Sequence, residues 1–164
     1  MRRTLALLSL TVLAAACSPQ SGGEGKADGG AAPAPKAEAP TDAEAQAMLA
    51  SLPAPYNTAD LANGKKQFAR CRSCHTLPEG GPDLVGPNLY GVFGRKAGAK
   101  DGYNYSDALK KADFVWDGPH LDAWLAEPRT YLPGTKMSFA GLKEAKDRTD
   151  LIAYLHTQTG YKPG

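Results

Sequence analysis

The sequence lacks an apolar run long enough to cross a bilayer: the longest, Leu5 to Ala16, is about a dozen residues, where a spanning helix needs about twenty. It lacks the alternating pattern of strands, which leaves no basis for a sheet or a βαβ unit. It lacks an excess of one charge, since 19 Lys and Arg stand against 17 Asp and Glu for a net +2. The basic residues come singly or in pairs, so no nucleic-acid partner is expected. Cysteine and histidine number three each, and no second pair of ligands stands where a structural zinc site would need one. What remains is one small helical domain with appendages.

The appendages come first. Arg2 and Arg3 precede the Leu5–Ala16 run, which gives residues 1–16 the form of a signal peptide. The run closes on Leu13-Ala14-Ala15-Ala16-Cys17. That is similar to a bacterial lipobox, in which the cysteine becomes the first mature residue and carries lipid, although the leucine falls one place early. Small residues before Cys17 also satisfy the ordinary cleavage rule, so a soluble secreted form and an uncleaved anchor stand beside the lipoprotein reading. Several acyl chains would make attachment permanent. Residues 17–55 read as a flexible Ala/Pro/Gly-rich tether, since Ser18 to Pro40 shows no apolar periodicity. Within it, Thr41 and Glu44 have capping-box spacing, and Ala47, Met48 and Leu52 follow before Pro53. This predicts a short helix, marginal on its own. As coil, the stretch from Ser18 to Pro55 would reach roughly 35 Å, a leash for a domain that visits more than one partner.

Residues 56–164 form the expected domain. A helix starts near Thr58 or Asp60 and leads into Cys71. The Gly/Pro-rich stretch Thr76–Asn104 has no periodicity, and so long a loop suits a compact domain only if something besides side chains fills the core. Ser106 can cap a short helix through Ala112. Asp117-Gly118-Pro119 opens another, which ends before Pro128. The last runs from about Lys143 to Thr159, with Ala145, Leu151, Ile152 and Leu155 on one face and Gly160 as its stop. The fold class is all-α, with short helices around a cofactor.

Residues 71–75 read Cys-Arg-Ser-Cys-His, the C-x-x-C-H signature of covalent c-type haem attachment. On a helical turn Cys71, Cys74 and His75 point the same way, so two thiols can meet two vinyl groups while the imidazole reaches the iron. A zinc site lacks its second ligand pair, and a thioredoxin-like pair lacks its βαβ setting. Met137 admits two readings, core filling or a second iron ligand. Its approach, Pro133-Gly134-Thr135-Lys136, is rigid and non-helical with polar neighbours, which favours ligation. His120 at a helix start and His156 late in the last helix read as surface residues.

From Asn63 to Thr159 the chain resembles class I cytochrome c of the mitochondrial-type branch. The matching stretches are CRSCHT, GPNLYGVFGRKAG, GYNYSDALK, the isolated Trp116, YLPGTKMSFAGL and RTDLIAYL. The resemblance implies one covalent haem c, thioethers at Cys71 and Cys74, and axial ligands His75 and Met137. It implies that the Pro87 carbonyl accepts a hydrogen bond from His75. It implies that Arg95, Tyr105 and Trp116 hold the haem propionates, with Thr135 on the distal side. Gly64 and Phe68 match first-helix residues that cross the last helix near Leu151 and Tyr154. Two positions depart. Leu109 replaces an asparagine and Trp124 a tyrosine, so the pocket beside Met137 is expected to be drier.

A filled His/Met ligand set suits a one-electron carrier rather than an enzyme or gas sensor, and the soft sulfur and burial raise the potential. From Tyr56 onward 15 Lys and Arg face 12 Asp and Glu. By resemblance, Lys65, Lys66, Arg70, Arg129, Lys136 and Lys143 belong to a basic docking ring, while Leu84, Thr130 and Glu144 mark positions where that ring has lost charge. The expected partners are a quinol-oxidising cytochrome complex and a terminal oxidase, met transiently by a monomer. The expected place is the periplasmic side of the envelope, anchored at Cys17 or soluble. The alternative is a dedicated electron donor to one periplasmic peroxidase or reductase.

Overall fold

The computed structural model describes residues 39–160. The expected signal peptide, Cys17 and the tether up to Glu38 lie outside them. Six α-helices are present among these residues, α1 (Asp42–Ser51), α2 (Leu61–Phe68), α3 (Asp107–Lys111), α4 (Gly118–Ala126), α5 (Pro128–Tyr131) and α6 (Ala145–Gln158), with one 3-10 turn at Tyr56–Thr58. The described residues contain no strand, only an isolated bridge between Lys96 and Val115. No helix among them is long and apolar enough to cross a membrane.

The crossing of α2 and α6 is the centre of the fold. Asp60 starts α2 by accepting the N–H groups of Ala62 and Asn63 at 2.9 and 3.0 Å. A Cβ on Gly64 would strike the Asp150 carbonyl and come within 2.6 Å of Tyr154 Cβ. The glycine is therefore what lets the two backbones approach. Beside it the Asp150 side chain, in a residue 1% exposed, accepts from Asp60 N–H, Asn63 Nδ2 and Lys146 Nζ. Burial raises this carboxyl, but those three donors outweigh it and hold it below the usual aspartate value. Leu151 and Ile152, fully buried on α6, join Leu121, Trp124 and Leu125 of α4 in the main core.

The capping box at Thr41 forms, with Thr41 N–H donating to the Glu44 carboxylate at 2.8 Å and Glu44 N–H to Thr41 Oγ1 at 3.3 Å. Leu49 and Leu52 then pack on Ala153 of α6. The short helix expected after Thr41 forms, and it is held by an apolar face of α6 on which to dock. A difference from the sequence reading is at Pro128. It ends α4 as expected, with Glu127 at φ −166° and ψ 86°, and it also occupies the first turn of α5. The same ring that cannot continue one helix is preset to begin the next.

Candidate functional site

Past α2 the chain continues in turns rather than helix. Cys74 N–H and His75 N–H both donate to the Cys71 carbonyl at 2.9 Å, which gathers the two thiols and the imidazole on one turn. The two sulfurs form no disulfide with one another. Burial pushes Cys71 up to about 11, the neighbouring Cys74 adds to this, and Arg70 opposes it.

His75 Nδ1 lies 2.7 Å from the Pro87 carbonyl. A carbonyl only accepts, so Nδ1 carries the proton and the Nε2 lone pair is left available. Burial lowers the His75 pKa, and the Pro87 contact works against it. The ring is held flat by Gly86, where a Cβ would lie 2.7 Å from both ring nitrogens. This glycine is needed for close approach.

Cys71, Cys74, His75 and Met137 line one cavity of about 230 Å³. Its walls are largely apolar, from Phe68, Leu89, Val92, Leu121, Leu151 and Leu155, with Arg95, Tyr105, Trp116 and Thr135 supplying polar groups. Met137 N–H donates to Thr135 Oγ1 at 3.1 Å, which fixes the backbone from which the thioether projects. Arg95 Nη1 donates to the Tyr90 carbonyl at 3.0 Å. Leu109 and Trp124, 8% and 7% exposed, also line the cavity. Trp124 meets Trp116 edge-on, with ring centroids 5.4 Å apart.

The family model described as Cytochrome c matches residues 61–159. The chain belongs to the cytochrome c family. It is 48% identical over 105 residues to cytochrome c of Kluyveromyces lactis, an alignment covering 63% of this chain and 96% of that one. It is 44% identical over 105 residues to cytochrome c2 of Rhodomicrobium vannielii, covering 64% and 84%. The structure of cytochrome cH from Methylobacterium extorquens aligns with a TM-score of 0.57 at 49% identity, over 60% of this chain and 99% of that one. The all-α class I architecture and the family's single covalent haem c follow, as does membership of a family of electron carriers. The cavity fits that group: two thiols on one turn, an imidazole with one nitrogen committed and the other free, and a thioether share an apolar enclosure.

The docking residues of the sequence analysis divide. Arg70 and Lys136 line the cavity, whereas Lys65, Lys66, Arg129 and Lys143 are exposed away from it. Lys136 Nζ donates to the carbonyls of Asn104 and Tyr105 at 3.0 and 3.3 Å. Lys143 is shared with Glu127 at 3.7 Å. His120 is partly exposed, paired with Asp117 at 2.7 Å and stacked on Phe114. His156 is a correction. Far from lying at the surface, it is 6% exposed and stacks on Phe93 with centroids 3.4 Å apart. Its position on the strongly buried face of α6 outweighs its polarity.

Sequence reasoning missed the cage around the Pro87 carbonyl. Asn88, 4% exposed, donates to Thr76 Oγ1 at 2.7 Å and the Pro78 carbonyl at 3.0 Å, and accepts from Tyr90 N–H at 3.0 Å. The available signal was its place directly after Pro87, in a loop with no periodicity to account for its polar side chain. Leu84, named above as a position where the docking ring has lost charge, is exposed at 45%, and its neighbour Val85, which sequence reasoning did not single out, is exposed at 79% and lies on the cavity lining.

Proposed function

We propose that the domain is a tethered, high-potential carrier that moves single electrons from a quinol-oxidising cytochrome complex to a terminal oxidase. In this reading Cys71 and Cys74 would form the thioethers, and His75 and Met137 would ligate the iron. Pro87 orients His75, Thr135 steadies the Met137 loop, and Arg95, Tyr105 and Trp116 receive the propionates. The bound group supplies a reversible one-electron couple. The observation that carries the reading is the free Nε2 of His75 in the same apolar enclosure as the Met137 thioether. Occupying both positions leaves no room for an added ligand, which suits a carrier rather than an enzyme. Apolar walls keep water out, and with the soft sulfur they favour the reduced form.

The partner surface in this reading carries weak positive steering, because Lys136 and Lys143 already spend hydrogen bonds on the domain itself. Cys17 is the lipid attachment point after cleavage of residues 1–16, placing the domain on the periplasmic side of the envelope. The leash ends at Pro40, since α1 claims Asp42–Ser51.

The experiment is an absorption spectrum of ferric and ferrous protein, with and without carbon monoxide, for wild type and Met137→Ala. Wild type is expected to show a weak far-red thioether-to-iron band and to refuse the gas, and the variant to lose the band and bind it. A wild type that takes up carbon monoxide readily would remove Met137 from the iron and end the carrier reading.

A further inference from the structure

The carbonyl that holds His75 belongs to a peptide unit whose other end is also engaged. Pro87 O lies 2.7 Å from His75 Nδ1, and the N–H of that same peptide, on Asn88, donates to Asp83 Oδ1 at 2.7 Å. Asp83 Oδ2 in turn accepts from Lys100 Nζ at 2.9 Å. An unbroken run therefore joins the Lys100 ammonium, the Asp83 carboxylate, the Pro87–Asn88 peptide and the His75 imidazole. Amide resonance couples the two ends of a peptide. A carboxylate on the N–H side raises electron density on the carbonyl oxygen, and hydrogen bonds in a chain strengthen one another. A better accepting carbonyl draws the Nδ1 proton and makes Nε2 a stronger donor to a metal.

The peptide is held where this coupling requires it. The Asn88 side chain is clamped to Thr76, Pro78 and Tyr90. Gly86 N–H to the Cys74 carbonyl at 2.8 Å and Leu89 N–H to the Thr76 carbonyl at 2.9 Å bracket the unit on both sides. Asp83 and Lys100 have side chains 29% and 24% exposed, so water and salt screen the pair only in part.

We propose that Asp83 is a positioning residue for His75, acting through the Pro87–Asn88 peptide to raise the donor strength of Nε2, with Lys100 trimming the charge that Asp83 delivers. The proposal rests on the reading of His75 as an axial ligand. A stronger histidine donor stabilises ferric over ferrous iron. Neutralising Asp83 therefore raises the midpoint potential, and removing Lys100 lowers it.

The test uses the haem-loaded protein with Asp83→Asn, Lys100→Gln and, as a charge control beside the run, Asp101→Asn. Three quantities are read: the midpoint potential, the His75 Nδ1–H proton resonance of the ferrous protein, and the iron–histidine stretching frequency in a Met137→Ala background. Asp83→Asn is expected to move the Nδ1–H resonance upfield and lower the stretch. It should also raise the ferrous-to-ferric ratio at fixed solution potential about threefold, or about 28 mV at 59 mV per decade. Lys100→Gln is expected to move all three the opposite way, and Asp101→Asn to leave the resonance and the stretch in place. A potential that shifts in Asp83→Asn without movement of the resonance and the stretch reduces the effect to charge at a distance and overturns the proposal. So does the absence of any shift. Asp83→Asn keeps an oxygen for the Asn88 N–H; should it fail to take up haem, Lys100→Gln leaves Asp83 in place and carries the test alone. Absence of an iron–histidine stretch in the parent would instead sink the ligation reading itself.

Discussion

The crossing of α2 and α6 and the loop from Thr76 to Tyr105 hold the same site from two sides by different means. The crossing relies on close backbone approach at Gly64 and on the fully buried Leu151 and Ile152. The loop has almost no regular structure, and its order comes from side chains bonding to backbone, with Asn88 and Thr76 at the centre. Non-directional burial fixes where helices sit, whereas directional hydrogen bonds fix a single carbonyl on a single imidazole nitrogen. The first job tolerates small adjustments of side chains; the second does not.

The largest effect is expected where the crossing leaves no room. Gly64→Val should cost at least about 4 kcal/mol or abolish folding, since its Cβ meets backbone that cannot yield. Urea unfolding of the haem-loaded protein reads this, with exposed Ala62→Val as a control expected to cost no more than about 1 kcal/mol. A tolerated valine would show that the two helices can slide apart, and would blur the contrast.

Next comes the joint between the regions, where His156 of α6 stacks on Phe93 of the loop and meets Tyr56 at a tilt, with centroids 5.9 Å apart. Burial lowers His156 to about 4, from an ordinary value of 6.5. Between those values the unfolded chain holds a proton that the folded chain refuses, so this contribution is complete above pH 6.5 and is lost as the pH falls toward 4. The loss should reach about 2 kcal/mol once solvent screening is allowed for, read as a falling melting temperature. His156→Leu should flatten the profile in that window. An unchanged slope would mean that a group other than His156 takes up the proton in that window.

Asn88→Ala should cost about 2 kcal/mol by removing the three hydrogen bonds that its buried side chain makes. More telling is where that appears: amide exchange should quicken from Thr76 to Tyr105 while the α2 and α6 amides keep their protection. Loss spread evenly through both regions would contradict the division. The smallest effect belongs to Thr41→Ala, about 1 kcal/mol from a lost cap, seen as faster exchange confined to α1.

Much of the crossing was legible because helices announce themselves. Asp60, Ser106 and Asp117 cap where their side chains suggested, and α6 ends near Gly160, at φ +70°. The docking of α1 was not legible, because whether a marginal helix forms depends on the face of α6 that it meets. Nor was the second role of Pro128, since a proline marks the end of one helix without specifying the start of another. In the site, C-x-x-C-H and the Met137 loop were readable from spacing along a few turns. The Asn88 cage and the Asp83–Lys100 pair were not, because all their partners but Tyr90 lie at separations of 5 to 17 residues in a loop without period.

The sequence by itself determined the chemistry: which thiols, which imidazole and which thioether are available, and the helices whose caps and apolar stripes are local. Those properties depend on neighbours within about one turn, which the order of residues contains. Only the tertiary structure decided that His75 presents Nε2, that His156 is buried, and that α1 is part of the folded domain. Each of these turns on a contact between distant segments, set when the whole chain satisfies its buried polar groups and packs its apolar ones together.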